Sequence, residues 1–223
     1  VKTLHFPLWN KQRGIPKAYT RLIQYNDSLF IGTSFMPKEI SVELMNLKTE
    51  KVVNSVNFPL KPKEGEYSRP YECKIATEMN FIVAAYRYIN RLEIYKLSDQ
   101  KFQLNTIIGD ANNQYDLYRL NKDNEMILHY SDIVCGKNQI YALYRGVKEK
   151  ELSSANSKIE VYSYDGTHLR TFDLGRSIEK ILVDESSMRI YAFDRNEEKD
   201  IVFCYAIESV SYTHLRAHET DSY

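Results

Sequence analysis

Four short stretches decide the fold: FIGTSF at Phe30 to Phe35, IVAAYR at Ile82 to Arg87, IYALYR at Ile140 to Arg145 and IYAFDR at Ile190 to Arg195. They follow one another at offsets of 52, 58 and 50 residues. The same offsets, applied upstream, align Ile23, Ile75, Ile133 and Val183, each inside another strand-like run. Two elements in constant register mark an internal repeat, and a repeat of this length must be read before anything else. Within each stretch a small residue recurs, Gly32, Ala84, Ala142 and Ala192. A closely packed face explains it, because a larger side chain there would hold neighbouring layers apart.

Working outward, each unit reads as strands of period-two alternation separated by polar turns. The first unit gives Thr20 to Tyr25, Leu29 to Phe35, Ile40 to Leu47 and Lys51 to Phe58. The second gives Glu72 to Thr77, Phe81 to Arg87, Arg91 to Leu97 and Lys101 to Ile108. The third runs Tyr130 to Cys135, Gln139 to Arg145, Lys158 to Tyr164 and His168 to Leu174, with Asp165-Gly166 as a hairpin turn that tolerates positive φ. The fourth has Glu179 to Asp184, Arg189 to Asp194 and Asp200 to Ile207, and lacks an outer strand. TLHFPL at Thr3 to Leu8 echoes SVNFPL at Ser55 to Leu60, so residues 1–8 read as the outer strand of a preceding unit. A four-stranded meander is too small to bury both its faces alone, so neighbours must cover it. The expectation is an all-β partial β-propeller, about three and a half four-stranded antiparallel blades of a ring of six. Residues 1–209 form the propeller domain, with blades at about 19–58, 72–108, 130–174 and 179–207. A β-sandwich or two small barrels would also alternate, but neither predicts a four-strand period.

Composition narrows the function classes. In 223 residues, 30 basic and 30 acidic side chains balance, so no global field attracts nucleic acid or an anionic membrane. Eighteen Tyr and nine Phe favour strands. Cys73, Cys135 and Cys204 show no CxxC or CxxH spacing and read as small apolar strand residues, expected to be unpaired. No apolar run approaches the roughly 18 residues that span a bilayer. The chain opens directly on a strand-like stretch with neither an initiating Met nor a signal peptide, and its natural N-terminus is expected further upstream.

The last stretch, VSYTHLRAHETDSY at residues 210–223, continues neither alternation nor a helical stripe. It resembles a sequencing adaptor translated in frame, which implies a non-native tail and a reading frame that continues past Ser209. That sets His214 and His218 aside as ligands. His5, His129 and His168 remain, in different repeats and without HExxH or HxH spacing, so each reads as a structural histidine. No GxSxG elbow, phosphate-cradling glycine loop or sialidase-type Asp-box is present. Asp184 and Asp194 could pair on calcium or in acid-base work, though turn capping is the better reading. No catalytic residue, metal ligand or cofactor is assigned.

IEKILVDESSMRIYAFDR at Ile178 to Arg195, IYALYRG from Ile140 and KIEVYSYDGTHLRTFDLG from Lys158 resemble the TolB-like six-bladed propellers, a group of lipoproteins in Bacteroides-type gut bacteria. The resemblance covers Tyr19 to Ile207. Val183 to Asp194 is also similar to NHL-type propeller repeats, but departs from them at Ser187, where a turn glycine is usual. The resemblance implies six blades, a periplasmic or cell-surface location and a lipid anchor upstream of Val1.

The polar feature that points to a site is the arginine ending the second strand of three repeats, Arg87, Arg145 and Arg195. In a propeller, loops leaving second strands and loops joining blades open on one face. Both length insertions, Gly109 to Ile127 and Gly146 to Ser157, fall in those loops, and insertions gathered on one face mark a binding face. That face would carry Arg69, Tyr71, Arg87, Tyr115, Tyr118, Arg119, Tyr144 and Arg145. Arg with Tyr suits planar or anionic ligands such as carboxylates, acidic sugars or peptides. The competing reading is a structural arginine that pairs with a carboxylate of the next blade. The functional expectation is a non-enzymatic propeller that binds a protein, peptide or glycan ligand. The alternative is a hydrolase or lactonase with a carboxylate-lined, calcium-binding axial site. For that, the inner strands offer Glu72, Asp132, Glu179 and Asp184.

Overall fold

A computed structural model describes residues 9–10, 15–16, 18–36, 39–46, 48–49, 51–59, 73–78, 80–110, 126–194, 201–207 and 217–219. A two-residue hairpin, β1 (Trp9–Asn10) with β2 (Ile15–Pro16), precedes four antiparallel sheets. Blade 1 comprises β3 (Ala18–Gln24), β4 (Leu29–Met36), β5 (Glu39–Asn46) and β6 (Lys51–Pro59). Blade 2 comprises β7 (Cys73–Glu78), β8 (Phe81–Tyr86), β9 (Arg91–Ser98) and β10 (Lys101–Gly109). Blade 3 comprises β11 (Ile127–Cys135), β12 (Gln139–Lys148), β13 (Lys158–Ser163) and β14 (His168–Asp173). Blade 4 comprises β15 (Lys180–Asp184), β16 (Arg189–Phe193), β17 (Val202–Ala206) and β18 (Ala217–Glu219). Every sheet is a meander in sequence order. The expected repeat is thus present strand for strand, and Ile23, Ile75, Ile133 and Val183 all lie on first strands. Residues 1–8, read as an orphan outer strand, lie outside the described residues.

Two expectations need correction. The second insertion is not all loop: Gly146 to Lys148 continues β12, pairing Val147 with Leu128 and Lys148 with Ile127 before a single 3-10 turn at Glu149–Glu151. The outer edge of β17 is not bare either, because Phe203, Cys204 and Tyr205 pair with Glu219, His218 and Ala217. A strand edge offers a row of backbone donors and acceptors that any extended segment can satisfy, whatever its side chains. Three residues of the tail do so here.

Alternation along each second strand builds the interfaces between blades. Ile82, Ala84 and Tyr86 pack with Ile31, Val42 and Leu44 of blade 1. Val83 and Ala85, on the opposite face, pack with Tyr130, Ile133, Ile140 and Ala142 of blade 3. Tyr141 and Leu143 then meet Ile190, Ala192, Phe203 and Tyr205 of blade 4. Ala84, Ala142 and Ala192 are each 0% exposed and Gly32 is buried, so the small residue does sit where layers meet.

The register adds a second reason for it. Gly32, Ala84 and Ala142 stand opposite Glu43, Glu93 and Glu160 on the third strands. Side chains opposite one another share a face, so the small residue leaves room for groups that reach the carboxylate. Tyr19 Oη donates to Glu43 Oε2 at 2.6 Å, Tyr95 to Glu93 at 2.8 Å, and Tyr162 to Glu160 at 2.8 Å. A Cβ on Gly32 would stand 2.8 Å from the Tyr19 ring and 2.5 Å from Met45 Cε. A buried carboxylate needs such donors. The exception is blade 4, where Ala192 faces Phe203 and the position is apolar.

Turns follow the polar side chains that close them. Asp184 accepts from the backbone and hydroxyl of Ser186 and Ser187, and these bonds hold its carboxyl down at about 2. Asn26 closes the first hairpin of blade 1 in the same way, and Gly166 takes the positive φ of 92° that its turn requires.

Candidate functional site

A polar cavity of about 280 Å³ opens where blades 2, 3 and 4 converge. Four cations line it: Lys74 from β7, Arg87 beyond the end of β8, Arg145 from β12 and Lys180 from β15. Ser131, Ser177 and the carboxylate of Glu179 supply its other polar groups. Its apolar contribution is Leu128 and Leu152. The arginines that end two second strands do therefore meet on one face, together with the blade 3 to blade 4 connection.

Arg145 is 6% exposed and most of its donors are committed. Its Nη1 donates to Ile178 O at 2.6 Å, and its Nη2 to Ser177 Oγ at 2.9 Å and to the carbonyls of Leu152 and Ala155. The residue thus ties the insertion after β12 to the connection that leads into blade 4. It binds backbone carbonyls, whereas the structural reading of this arginine expected a carboxylate of the next blade. Burial pushes its pKa down while Glu179 and Asp194 pull it back up. Asp194 therefore acts on this guanidinium.

The insertion is fastened on both flanks. Tyr88 Oη of blade 2 donates to Glu149 Oε1 at 3.0 Å, and Glu149 N donates to Met126 O at 2.9 Å. On the other side Ser157, 0% exposed, accepts from Ile178 N at 2.7 Å, and its own N–H donates to Arg176 O at 2.8 Å. Leu152 is thus carried into the cavity wall by a strap anchored from blade 2 to blade 4.

A model of the TolB-like 6-blade propeller-like family matches residues 2–186. The chain belongs to that family. Solved structures agree on the fold of this TolB-like chain at low identity. The WD40 domain of Toxoplasma gondii coronin is 9% identical, with a TM-score of 0.52 over 90% of this chain and 45% of that one. Kuenenia stuttgartiensis hydrazine synthase is 11% identical, with a TM-score of 0.51 over 88% of this chain and 48% of that one. The TolB-like chain thus spans about half the length of these structures. No curated protein matches the sequence.

Of the residues expected on the binding face of this TolB-like propeller, the structure brings Arg87 and Arg145 into one cavity. Tyr144 is half-buried beside it, its ring edge-on to Tyr130 at 5.4 Å and tilted to His129 at 6.0 Å. Arg69, Tyr71, Tyr115, Tyr118 and Arg119 lie outside the described residues, as does Arg195. His129 is held neutral by burial, which lowers its pKa.

Lys74 and Lys180 went unnoticed in the sequence. They had a signal, since each is a lone cation on a first strand whose neighbours are apolar. Between them stands Asp132 of β11, which accepts from Ile181 N at 3.0 Å. Burial raises the Asp132 pKa even though both lysines and the backbone donors pull it down. Among the described residues, no group of three His, Cys, Asp or Glu side chains could hold a metal ion. Cys73, Cys135 and Cys204 are free thiols.

Proposed function

We propose that the chain is a non-enzymatic, ligand-binding propeller whose cavity between blades 2, 3 and 4 receives an anionic group. One observation carries the reading: four cations and a single carboxylate line one enclosure. Arg145 uses its guanidinium mostly to hold the wall, which leaves Lys74, Arg87 and Lys180 as the groups suited to meet a ligand. Carboxylate or phosphate recognition by such a set is charge-assisted and therefore strong for its size. The hydrolase alternative has no observation in its favour, because Glu179 is the one carboxylate among the described lining residues.

The test is calorimetric titration of the full chain with a panel of small anions at two salt concentrations. Binding that weakens as salt rises, and that falls about tenfold in Lys74→Ala/Lys180→Ala, supports the proposal. Heats indistinguishable from dilution for every anion would overturn it.

A periplasmic or cell-surface location with a lipid anchor upstream of Val1 belongs to the same proposal, and family membership supports its periplasmic part. Among the described residues, no helix is long and apolar enough to cross a membrane. Fractionation of cells that express the whole gene tests this point. Recovery in the membrane fraction, released by detergent but not by salt, is the expected result.

A further inference from the structure

The lining of the cavity also points to a ligand class, and this inference rests on the anion-binding reading above. Volume comes first: about 280 Å³ lies at the lower edge of the roughly 300 to 1,000 Å³ usual for ligand pockets. An occupant of that size is a single small molecule rather than a length of polymer.

Charge comes second. Lys74 and Lys180 enter from the first strands of blades 2 and 4, and both side chains are exposed, so their ammonium groups can turn toward an occupant without repacking the core. Between them they could share one carboxylate.

The remaining polar groups suit hydroxyls. Glu179 is an acceptor for O–H groups, and it would repel a second anionic group on the same ligand. Ser131 Oγ reaches Leu143 O at 3.5 Å, the outer limit of a hydrogen bond, so its hydroxyl has capacity left for a partner. No aromatic side chain is among the described lining residues, so there is no platform for stacking a nucleobase or the apolar face of a neutral sugar. Two leucines are too little apolar surface for a fatty or aromatic acid.

We infer that the ligand is a sugar acid, a monosaccharide-sized molecule with one carboxylate and several hydroxyls. The carboxylate pairs with Lys74, Lys180 and Arg87, and the hydroxyls with Glu179 and Ser131.

Glucuronate is the probe, titrated into the full chain beside acetate, glucose, glucose 6-phosphate and an acidic tetrapeptide. Glucuronate should bind about tenfold tighter than acetate, which has the charge without the hydroxyls, and than glucose, which has the hydroxyls without the charge. Lys74→Ala and Lys180→Ala should each weaken glucuronate several-fold with unchanged melting temperature, as expected for exposed side chains. Glu179→Gln should narrow the gap between glucuronate and acetate, which a purely structural role for Glu179 would not do. Equal affinity for glucuronate and acetate, or preference for glucose 6-phosphate or the peptide, would overturn the sugar acid and leave the anion site standing. Failure of every anion to bind would overturn both.

Discussion

Glu93 shows how this chain keeps charge inside a sheet. It is 6% exposed, its Oε1 takes the Arg91 Nε at 2.7 Å, and its Oε2 takes the Tyr95 hydroxyl at 2.8 Å. Removing one member of a buried pair strands the other, which costs roughly 3–5 kcal/mol. Glu93→Ala should therefore lose stability on that scale in urea denaturation, whereas Glu93→Gln, which keeps an acceptor for both donors, should lose less. Asp132 makes a second residue-scale prediction, through pH. Because burial raises its pKa in the folded state, the folded chain binds this proton more tightly than the unfolded one. The burial penalty is thus absent at low pH, where both states are protonated. It grows as pH climbs from the ordinary carboxylate pKa through the raised one, and is constant above. Asp132→Asn keeps an acceptor for Ile181 N–H and removes the titration. Its stability relative to wild type should be unchanged at acid pH and higher at neutral pH, as read from denaturation midpoints between pH 3 and 8. An advantage that is flat across that range would refute the assignment.

At the scale of elements, the strap after β12 and the tail strand β18 illustrate different uses of hydrogen bonding. The strap is held at many points, and Ser157 is the one with no exposure, bonded to both Ile178 N and Ile178 O. Ser157→Ala would leave a buried N–H without an acceptor, at a cost of about 1–3 kcal/mol. Hydrogen exchange should speed up in residues 149–157 and 176–179 first, because the loss is local. Uniform acceleration across all four blades would contradict the anchored-strap description. By contrast, β18 is three residues paired to one edge. Deleting residues 210–223 should change exchange only along β17, with the apolar interface between blades 3 and 4 left intact.

For the whole molecule, the two faces of blade 4 differ. Ile181, Ile190, Ala192, Phe203 and Tyr205 are packed on blade 3. The opposite face carries Leu182, 54% exposed, and Phe193, 40% exposed, with the half-buried Tyr191 and Cys204 in the same alternation. A contiguous apolar face of this kind takes a partner when one is available. The full chain should therefore sediment with a concentration-dependent mass, and Leu182→Asp/Phe193→Asp should stay monomeric. Both substitutions lie on exposed side chains, so the melting temperature should hold. A wild-type chain that remains monomeric at high concentration would remove the basis for this reading.

The repeat, the strand count and nearly every strand boundary were legible from sequence because alternation and polar turns are local properties, and four copies reinforce one another. Asp165-Gly166 and Asp184 were equally readable, since a turn is closed by its own residues. Face by face, alternation also foretold that Ala84 and Ala142 would be buried. The glutamates opposite them were not foreseen, although Glu43, Glu93 and Glu160 recur in the third strands, because an isolated carboxylate in an alternating strand looks solvent-facing until its cross-strand donors are known. The site divides in the same way. Arg87 and Arg145 were visible through their repeat position, while Lys74, Lys180 and Ser177 join them from other blades. Which side chains share a cavity depends on how three sheets meet. The commitment of Arg145 to carbonyls of a strap ten residues further on is likewise a matter of packing, which only the tertiary structure decides.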